Sequence, residues 1–287
     1  MKRYSFSNKL FGILVLILLV FICFSSYGFI ITSKLMAIVF FDVGQGDASL
    51  IQGGMMQIVV DGGPDSSVMA DLSEAMPIYD RTIELVIISH PHADHITGVI
   101  DILRRYRVKQ ILMPPVDNEQ TTDSPEYNEF MAVVKENNIP VKIARTGQTL
   151  RLGSYGSGEI IWPESGFHGT DLNDYSIYLK MFIGGVCVLY TGDGGVSVQE
   201  RLMNEIEECQ ILKVPHHGSV SGLGEEFLKQ LNPQYAIISV GENSYGQPNA
   251  DAIGLLSKYA HQIYRTDEKG TIEFIVHHGN TGIVTAR

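Results

Sequence analysis

Residues 88–98 read ISHPHADHITG and place three histidines and one aspartate within six positions. The segment follows the apolar run ELVIIS, which is typical of a strand, and precedes a helical pattern that starts near Thr97. Imidazoles this close together repel one another when protonated and lose solvation when buried neutral, unless a metal ion uses them. The segment therefore predicts metal ligands at His90, His92, Asp94 and His95.

The spacing of these four side chains suggests two metal ions. His90 and His92 alternate and can point to one side of the chain, while Asp94 and His95 can reach a second ion about 3.5 to 4 Å away. Imidazole and carboxylate together suit Zn, Mn or Fe, and we expect two divalent ions, Zn or Mn. No Cys-x-x-Cys pair occurs, which excludes a thiolate zinc site.

Short apolar runs alternate with helical patterns outward from this segment. Their order predicts an α/β fold, an α+β arrangement of four layers in which two mixed sheets pack face to face with helices outside. Strands are expected at 36–41, 48–52, 56–60, 84–89, 110–114, 176–183, 186–191, 211–215 and 235–240. Helices are expected at 68–77, 97–106, 126–138, 196–207, 224–231 and 250–260.

The first 34 residues differ in composition from the rest and predict a membrane anchor. Residues 10–33 carry no charge, and even the apolar part to Ile31 can cross about 30 Å of hydrocarbon. Lys2, Arg3 and Lys9 precede it, which predicts a single-pass cell-membrane protein with a cytoplasmic N-terminus and an extracytoplasmic domain at 35–287. The alternative is a cleaved secretory signal, for which no small-residue cleavage site is evident.

Charge argues against a duplex-binding module. The chain of 287 residues has a net charge of −11, and residues 35–287 retain 17 basic against 32 acidic residues, a net charge of −15. Affinity based on counterion release needs the opposite sign. The one dense basic run, 102–109, predicts either a solvated helix end or a path for a nucleic-acid strand with Tyr106 as a stacking face.

Two of the three cysteines fall in the predicted domain. Cys187 lies in a strand-like run and Cys209 lies just before another, and both are predicted to be small core residues. A bridge between them is the alternative, and it is allowed outside the cell.

The histidine segment also resembles the H-x-H-x-D-H signature of the metallo-β-lactamase superfamily. Over residues 36–276 the chain resembles the extracellular C-terminal domain of the ComEC competence proteins and their stand-alone relatives. The segments that carry this resemblance are FFDVGQGDASLIQ (40–52), VVDGGP (59–64), ISHPHADHITG (88–98), LYTGD (189–193), KVPHHGS (213–219) and IISVGENSYGQP (237–248). It implies a metallo-β-lactamase αββα sandwich and a metal-dependent hydrolase.

The resemblance assigns roles to five further residues. Asp193 matches the carboxylate that bridges two metals, and Asp61 matches the aspartate that orients the histidine loop. His216 and His217 match the family's His-His-Gly-Ser; at least one is expected to be a ligand, and the other to touch substrate or donate a proton. Asp47 is expected to hold the glycine loop together or to hydrogen-bond near the metals.

The adjacent histidines can also diverge. In that case His217 completes the metal of Asp94 and His95, while His216 leans toward the metal of the other two histidines. Separately, Asp94 is expected to be both a ligand and the group that orients the attacking water.

Two positions depart from the family pattern. Asn173 stands where the superfamily has a third histidine for the first metal, and it is expected to act on substrate; His168 could compensate as a ligand. Gln247 stands where ComEC relatives commonly have a histidine.

The resemblance implies hydrolysis of phosphodiesters, most directly by a nuclease acting on single-stranded DNA outside the membrane. A bridging Asp193 disfavours lactam hydrolysis. One alternative is a cell-surface phosphodiesterase, such as a phosphorylcholine esterase-like enzyme. Another is a non-catalytic anchored binding module with a relict metal site.

Overall fold

The computed structural model describes residues 10–21, 36–116, 123–277 and 279–287. The first half contains α1 (10–21), β1 (Met36–Phe40), β2 (Ala48–Gly53), β3 (Met56–Gly62), α2 (Val68–Ala75), β4 (Thr82–Ile83), β5 (Leu85–Ile87), α3 (Ala93–Arg105), β6 (Arg107–Val108), β7 (Ile111–Met113), α4 (Pro125–Glu136) and β8 (Val141–Ile143). The second half contains β9 (Thr149–Leu152), β10 (Gly156–Trp162), β11 (Tyr178–Ile183), β12 (Val186–Tyr190), α5 (Val196–Leu202), β13 (Ile211–Lys213), α6 (Glu225–Leu231), β14 (Tyr235–Ile238), α7 (Ala250–Tyr259), β15 (Gln262–Arg265), α8 (Thr266–Lys269), β16 (Ile272–His277) and β17 (Asn280–Thr285).

The strands form two large mixed sheets. The first has the order β17-β16-β1-β2-β3-β5-β7-β8 and the second the order β15-β14-β13-β12-β11-β10-β9, while β4 and β6 form a small separate pair. In both sheets an antiparallel part is followed by parallel strands, β3-β5-β7-β8 in the first and β12-β13-β14-β15 in the second. The predicted pair of mixed sheets is confirmed.

Three apolar clusters define the four layers. The middle cluster lies between the sheets and includes Phe40, Leu179 and Phe274. A second cluster packs α2, α3 and α4 on the outer face of the first sheet, and a third packs α5, α6 and α7 on the second. Each sheet therefore buries both faces, which explains its continuous apolar runs. This is the αββα sandwich expected from the sequence.

Helix α3 begins at Ala93, four residues before the expected start. His92 is its N-cap residue, so Asp94 lies in the first turn, where a carboxylate interacts favourably with the helix dipole. The helix also packs very closely on the end of β3. A Cβ atom at Gly98 would lie 2.0 Å from the carbonyl oxygen of Gly62, so only glycine fits there. This contact fixes the histidine segment against the first sheet.

Several strands lack the continuous apolar run that predicts a strand. β10 contains Gly156, Gly158 and Glu159, and the edge strand β17 alternates half-buried with exposed residues. β16 alternates buried and more exposed positions, with Ile272, Phe274 and Val276 buried. Its period-two pattern is a strand signal that a search for continuous runs misses.

The predicted membrane span covers residues that the structure describes only in part. α1 is a helix of exposed apolar residues over 10–21, and the remainder of the predicted span lies outside the described residues. Among the helices of the described ranges, none combines the length and apolarity needed to cross a bilayer. The membrane anchor therefore remains a prediction.

The prediction that Cys187 and Cys209 are separate small core residues is wrong. The two form a disulfide with their Cα atoms 5.0 Å apart. Cys187 lies on β12 and Cys209 just before β13, and these strands are parallel neighbours. The two cysteines are 22 residues apart in sequence, and the apolar runs alone do not show that their strands are neighbours.

Candidate metal centre

The predicted ligands meet where strand ends from both sheets come together. His90 and His92 follow β5, Asp193 follows β12, and His216 and His217 follow β13. Carboxyl ends of parallel strands lie on one edge of a sheet, and here the edges of the two sheets face the same cleft. Residues that are more than 100 positions apart in sequence, such as Asp94 and His217, are therefore brought into contact.

Asp193 lies at the centre of the cluster and is 3% exposed. Its Oδ1 atom lies 3.4 Å from Nε2 of His95. Its Oδ2 atom lies 3.9 Å from Nε2 of His90 and 3.9 Å from Nε2 of His216, and 3.6 Å from Nε2 of His217. One carboxylate therefore lies within 3.9 Å of ring nitrogens of four histidines. Its backbone N–H donates to Oγ of Ser176, which holds this turn in place.

The His216-His217 pair adopts an unusual backbone conformation. Both residues have positive φ angles, 50° and 52°, and so does Asp61, at 58°. The other non-glycine residues with positive φ in the described ranges are asparagines, which tolerate this region. Such strain persists where surrounding structure fixes it, and it concentrates at functional sites. It makes the two imidazoles diverge, with ring centroids 6.2 Å apart.

The two histidines face different neighbours as a result. Nδ1 of His217 donates to the carbonyl oxygen of Ser239 at 2.9 Å, which turns its Nε2 atom toward Oδ2 of Asp94, 3.2 Å away. His217 is buried, whereas the side chain of His216 is 30% exposed and lies near Asp193. His217 therefore lies on the side of Asp94, and the assignment of His216 to a second metal stays a prediction.

Asp61 orients the histidine loop, through contacts with two neighbours. Its Oδ1 atom accepts from the backbone N–H of Ser89 at 2.7 Å, and its Oδ2 atom accepts from the Ser89 hydroxyl at 2.6 Å and from Nδ1 of His95 at 2.9 Å. With Nδ1 occupied, Nε2 of His95 is the atom directed at Asp193. A carboxylate on the distal imidazole nitrogen fixes the ring and increases its basicity as a ligand.

Asp47 lies beneath the cluster beside a residue that the sequence analysis did not single out. Lys213 is 3% exposed, and its Nζ atom lies 2.7 Å from Oδ2 of Asp47. The Oδ1 atom of Asp47 lies 3.4 Å from Nδ1 of His217. The sequence signal for this ion pair is the lysine within the apolar strand run ILKVP. A lysine in a buried strand indicates an ionic partner, because unpaired lysine is almost never fully buried.

The charges of the cluster shift several pKa values. Burial, together with the His95 charge, lowers the pKa of His90 well below its ordinary value. Burial also opposes protonation of His95 and His217, but nearby carboxylates outweigh it. Asp193 and Asp61 raise the pKa of His95 well above its ordinary value, and Asp193 and Asp47 raise the pKa of His217 to about 10.

The donor set fits divalent metal ions. Ligand atoms of Asp94, His95, Asp193 and His217 all lie within 4.8 Å of one another. Two of these atoms, Nε2 of His95 and Oδ1 of Asp193, are buried without a hydrogen-bond partner although they face each other. Burying polar atoms without a partner costs free energy, unless a bound ion interacts with them. Mixed imidazole and carboxylate donors suit a transition metal.

The cluster opens into a cleft of about 600 Å³. Its lining includes His92, Asp94, Asn173, His216 and Gln247. Oδ1 of Asn173 is buried and has no hydrogen-bond partner, so the amide has a free acceptor at the cleft wall.

Two other sequence candidates lie elsewhere. His168 lines a separate pocket with Trp162 and Arg201, and it does not join the cluster. Tyr106 is 5% exposed, so the prediction that it offers a stacking face is wrong. The basic run at 102–109 instead ends α3, where Arg104 pairs with Glu129 at 2.8 Å, as expected of a solvated helix end.

Comparison with known families gives a clear assignment. Residues 41–242 match the family described as Metallo-beta-lactamase superfamily. The chain belongs to this superfamily. It is accordingly a metal-dependent hydrolase, and its His/Asp cluster is the place for divalent metal ions.

Two curated relatives are competence and recombination proteins. The chain is 28% identical to ComE operon protein 3 of Bacillus subtilis over 197 residues, covering 68% of this chain and 25% of that protein. It is 27% identical to Recombination protein 2 of Haemophilus influenzae over 237 residues, covering 80% of this chain and 28% of that protein. The chain therefore spans about a quarter of the length of these relatives.

A solved structure supports the fold. The metallo-beta-lactamase fold protein YhfI from Bacillus subtilis superposes with a TM-score of 0.57 at 15% identity, over 84% of this chain and all of that one.

Proposed function

We propose that this chain is a phosphodiesterase that cleaves DNA with two divalent cations, Zn or Mn. The observation that carries the proposal is the position of Asp193, whose two oxygens lie 3.4 to 3.9 Å from ring nitrogens of His90, His95, His216 and His217. One cation would be held by His90, His92, His216 and Asp193. The other would be held by Asp94, His95, His217 and the same Asp193.

Two cations at this spacing would lower the pKa of the attacking water, hold the phosphate oxygens and stabilise the leaving alkoxide. The protein groups contribute orientation. Asp94 lines the cleft with a side chain 35% exposed, where it can orient the attacking water. Asn173 lines the same cleft and can contact substrate there.

The choice of DNA rests on the relatives and on the segments shared with the ComEC competence proteins. Three curated relatives are named for competence or recombination. The acidic surface favours a single strand or a strand end that reaches the cations over a duplex held by many phosphate contacts. A surface phosphodiester, such as a phosphocholine ester, is the competing substrate.

We also propose that the domain lies outside the cytoplasmic membrane, tethered by residues 10–33. The charge-free length and the preceding Lys2, Arg3 and Lys9 support this orientation. The Cys187–Cys209 disulfide also supports it, because such bonds persist in oxidising compartments. Protease added to intact cells should remove the domain; protection until lysis would refute the orientation.

The direct test of the function is a substrate panel with the purified chain, stripped of metal and then supplied with Zn or Mn. The panel holds single-stranded DNA, plasmid, bis-nitrophenyl phosphate, nitrophenyl phosphocholine and a chromogenic cephalosporin. We expect cleavage of the DNA and the simple diester, and a loss of at least about 100-fold in Asp94→Ala. Cleavage of nitrophenyl phosphocholine alone would favour the surface esterase, and equal rates in Asp94→Ala would place the chemistry elsewhere.

A further inference from the structure

An exposed aromatic ring stands at the rim of the metal cleft. Tyr245 is 77% exposed and lines the cleft together with Asp94 and His216. Single exposed aromatic rings are common on protein surfaces. Tyr245 differs because its ring lines a cleft with candidate metal ligands, where it is available to a bound substrate.

The loop that carries Tyr245 is held in one shape by Asn243. Oδ1 of Asn243 accepts from the backbone N–H groups of Tyr245 at 3.0 Å and Gln247 at 3.1 Å. Its Nδ2 atom donates to the carbonyl oxygens of Gln247 at 2.7 Å and Gly241 at 2.9 Å. One side chain therefore makes four bonds that close the loop, and the loop presents Tyr245 from a preorganised backbone.

Two hydrogen bonds also connect this loop to the first half of the sandwich. Nε2 of Gln45 donates to Oε1 of Gln247 at 2.7 Å, and the backbone N–H of Gly241 donates to Oε1 of Gln45 at 3.3 Å. Gln45 belongs to the glycine loop that precedes Asp47. The cleft wall therefore presents uncharged amides at Gln45 and Gln247.

Charge along the cleft limits how a polyanion can be held. Among the described lining residues the charged groups other than histidine are Asp94, Asp193 and Glu242, and none is lysine or arginine. Side chains of the described lining therefore offer no lysine or arginine contacts to phosphates. Within this cleft a nucleic acid would be held by bound cations and by uncharged surfaces, among which Tyr245 supplies an aromatic ring.

We propose that Tyr245 is the platform on which an unpaired base stacks beside the scissile phosphate, so that the substrate is single-stranded DNA. This rests on the proposed phosphodiesterase function and specifies how that site selects its substrate. Stacking on an aromatic side chain accepts any base, because every base has a flat face. A paired base in a duplex has both faces covered and does not reach the ring.

The test compares two substrates of equal length and charge, an oligothymidylate and the same phosphodiester chain with abasic sites in place of every base. KM and kcat are measured for the wild type, Tyr245→Ala and Tyr245→Phe. Tyr79→Ala is the matched control, because Tyr79 is 53% exposed and is not among the residues lining the cleft. Binding of a 2-aminopurine-labelled strand with phosphorothioate linkages, which resist hydrolysis, is followed by its fluorescence and gives a readout without turnover.

We expect the wild type to prefer the base-bearing strand by roughly 10- to 100-fold in KM. Tyr245→Ala should lose this preference and the quenching of 2-aminopurine, while Tyr245→Phe and Tyr79→Ala should keep both. A preference for the base-bearing strand that survives in Tyr245→Ala would overturn the proposed stacking role of Tyr245. Equal KM values for both substrates in the wild type would overturn it too. Either result would leave the phosphodiesterase function standing. If the wild type cleaves neither strand, the DNA function fails as well.

Discussion

The ammonium group of Lys213 lies 2.7 Å from Oδ2 of Asp47, and both side chains are buried beneath the histidine cluster. Lys213 belongs to β13 of the second sheet, while Asp47 precedes β2 of the first. The backbone N–H of Asp47 also donates to the carbonyl oxygen of Asp94 at 3.2 Å. Although burial opposes ionisation, Lys213 and His217 lower the pKa of Asp47 to about 2. The ion pair therefore links the two halves of the sandwich directly below the metal centre.

Removing one member of this pair should destabilise the protein strongly. In Lys213→Met the Asp47 carboxylate stays buried without its counter-ion, and we expect a loss of about 3 to 5 kcal/mol in the free energy of unfolding. The double variant Lys213→Met/Asp47→Asn should recover part of the lost free energy of unfolding. Urea denaturation of the metal-free chain measures both. Lys229→Met is the control, because replacing this exposed lysine should change the free energy of unfolding by less than about 0.5 kcal/mol. Equal stability of Lys213→Met and Lys229→Met would contradict the role of the buried ion pair.

Asp61 should set metal affinity through His95. Asp61→Asn removes the charged acceptor from Nδ1 of His95 and weakens the orientation of this ring. We expect a 10- to 100-fold weaker binding of Zn, roughly the effect typical of such outer partners. Competition with a chromophoric chelator measures it. Asp65→Asn, in the same turn but exposed, serves as the control, and a shared change in both variants would indicate a general effect on the turn.

Metal binding should release protons near neutral pH. In the metal-free chain the pKa values of His95 and His217 are raised, that of His217 to about 10. Protonation of these two histidines stabilises the folded state at pH values below about 6.5, the pKa of histidine in the unfolded chain. This stabilisation is lost as the pH rises toward 10. Metal affinity should rise with pH over the same window, because ligand nitrogens must be deprotonated. Calorimetric titration in buffers of different ionisation enthalpy counts the protons; identical heats in all buffers would refute the linkage.

The sequence predicted the layers and the residues that cluster at the cleft more fully than the buried residues that hold this cluster in place. ISHPHADHITG concentrates four candidate ligands within one short segment, so local spacing identifies them. Lys213, Ser89 and Ser239 act through contacts that span 22 to 166 positions, because Lys213 pairs with Asp47, Ser89 with Asp61 and Ser239 with His217. The pairings of Ser89 and Ser239 depend on which strands are neighbours within a sheet, and that of Lys213 depends on how the two sheets stack. For the same reason the Cys187–Cys209 bridge appears only once β12 and β13 are known to be neighbours.

Metal content per chain tests the central claim most directly. The purified chain, saturated with Zn or Mn and freed of excess ion, is analysed by inductively coupled plasma mass spectrometry beside His216→Ala, His217→Ala and Asn173→Ala. We predict two ions per wild-type chain, reduced occupancy in each histidine variant and nearly unchanged occupancy in Asn173→Ala. One ion per wild-type chain, or full occupancy in both histidine variants, would contradict a centre of two cations bridged by Asp193.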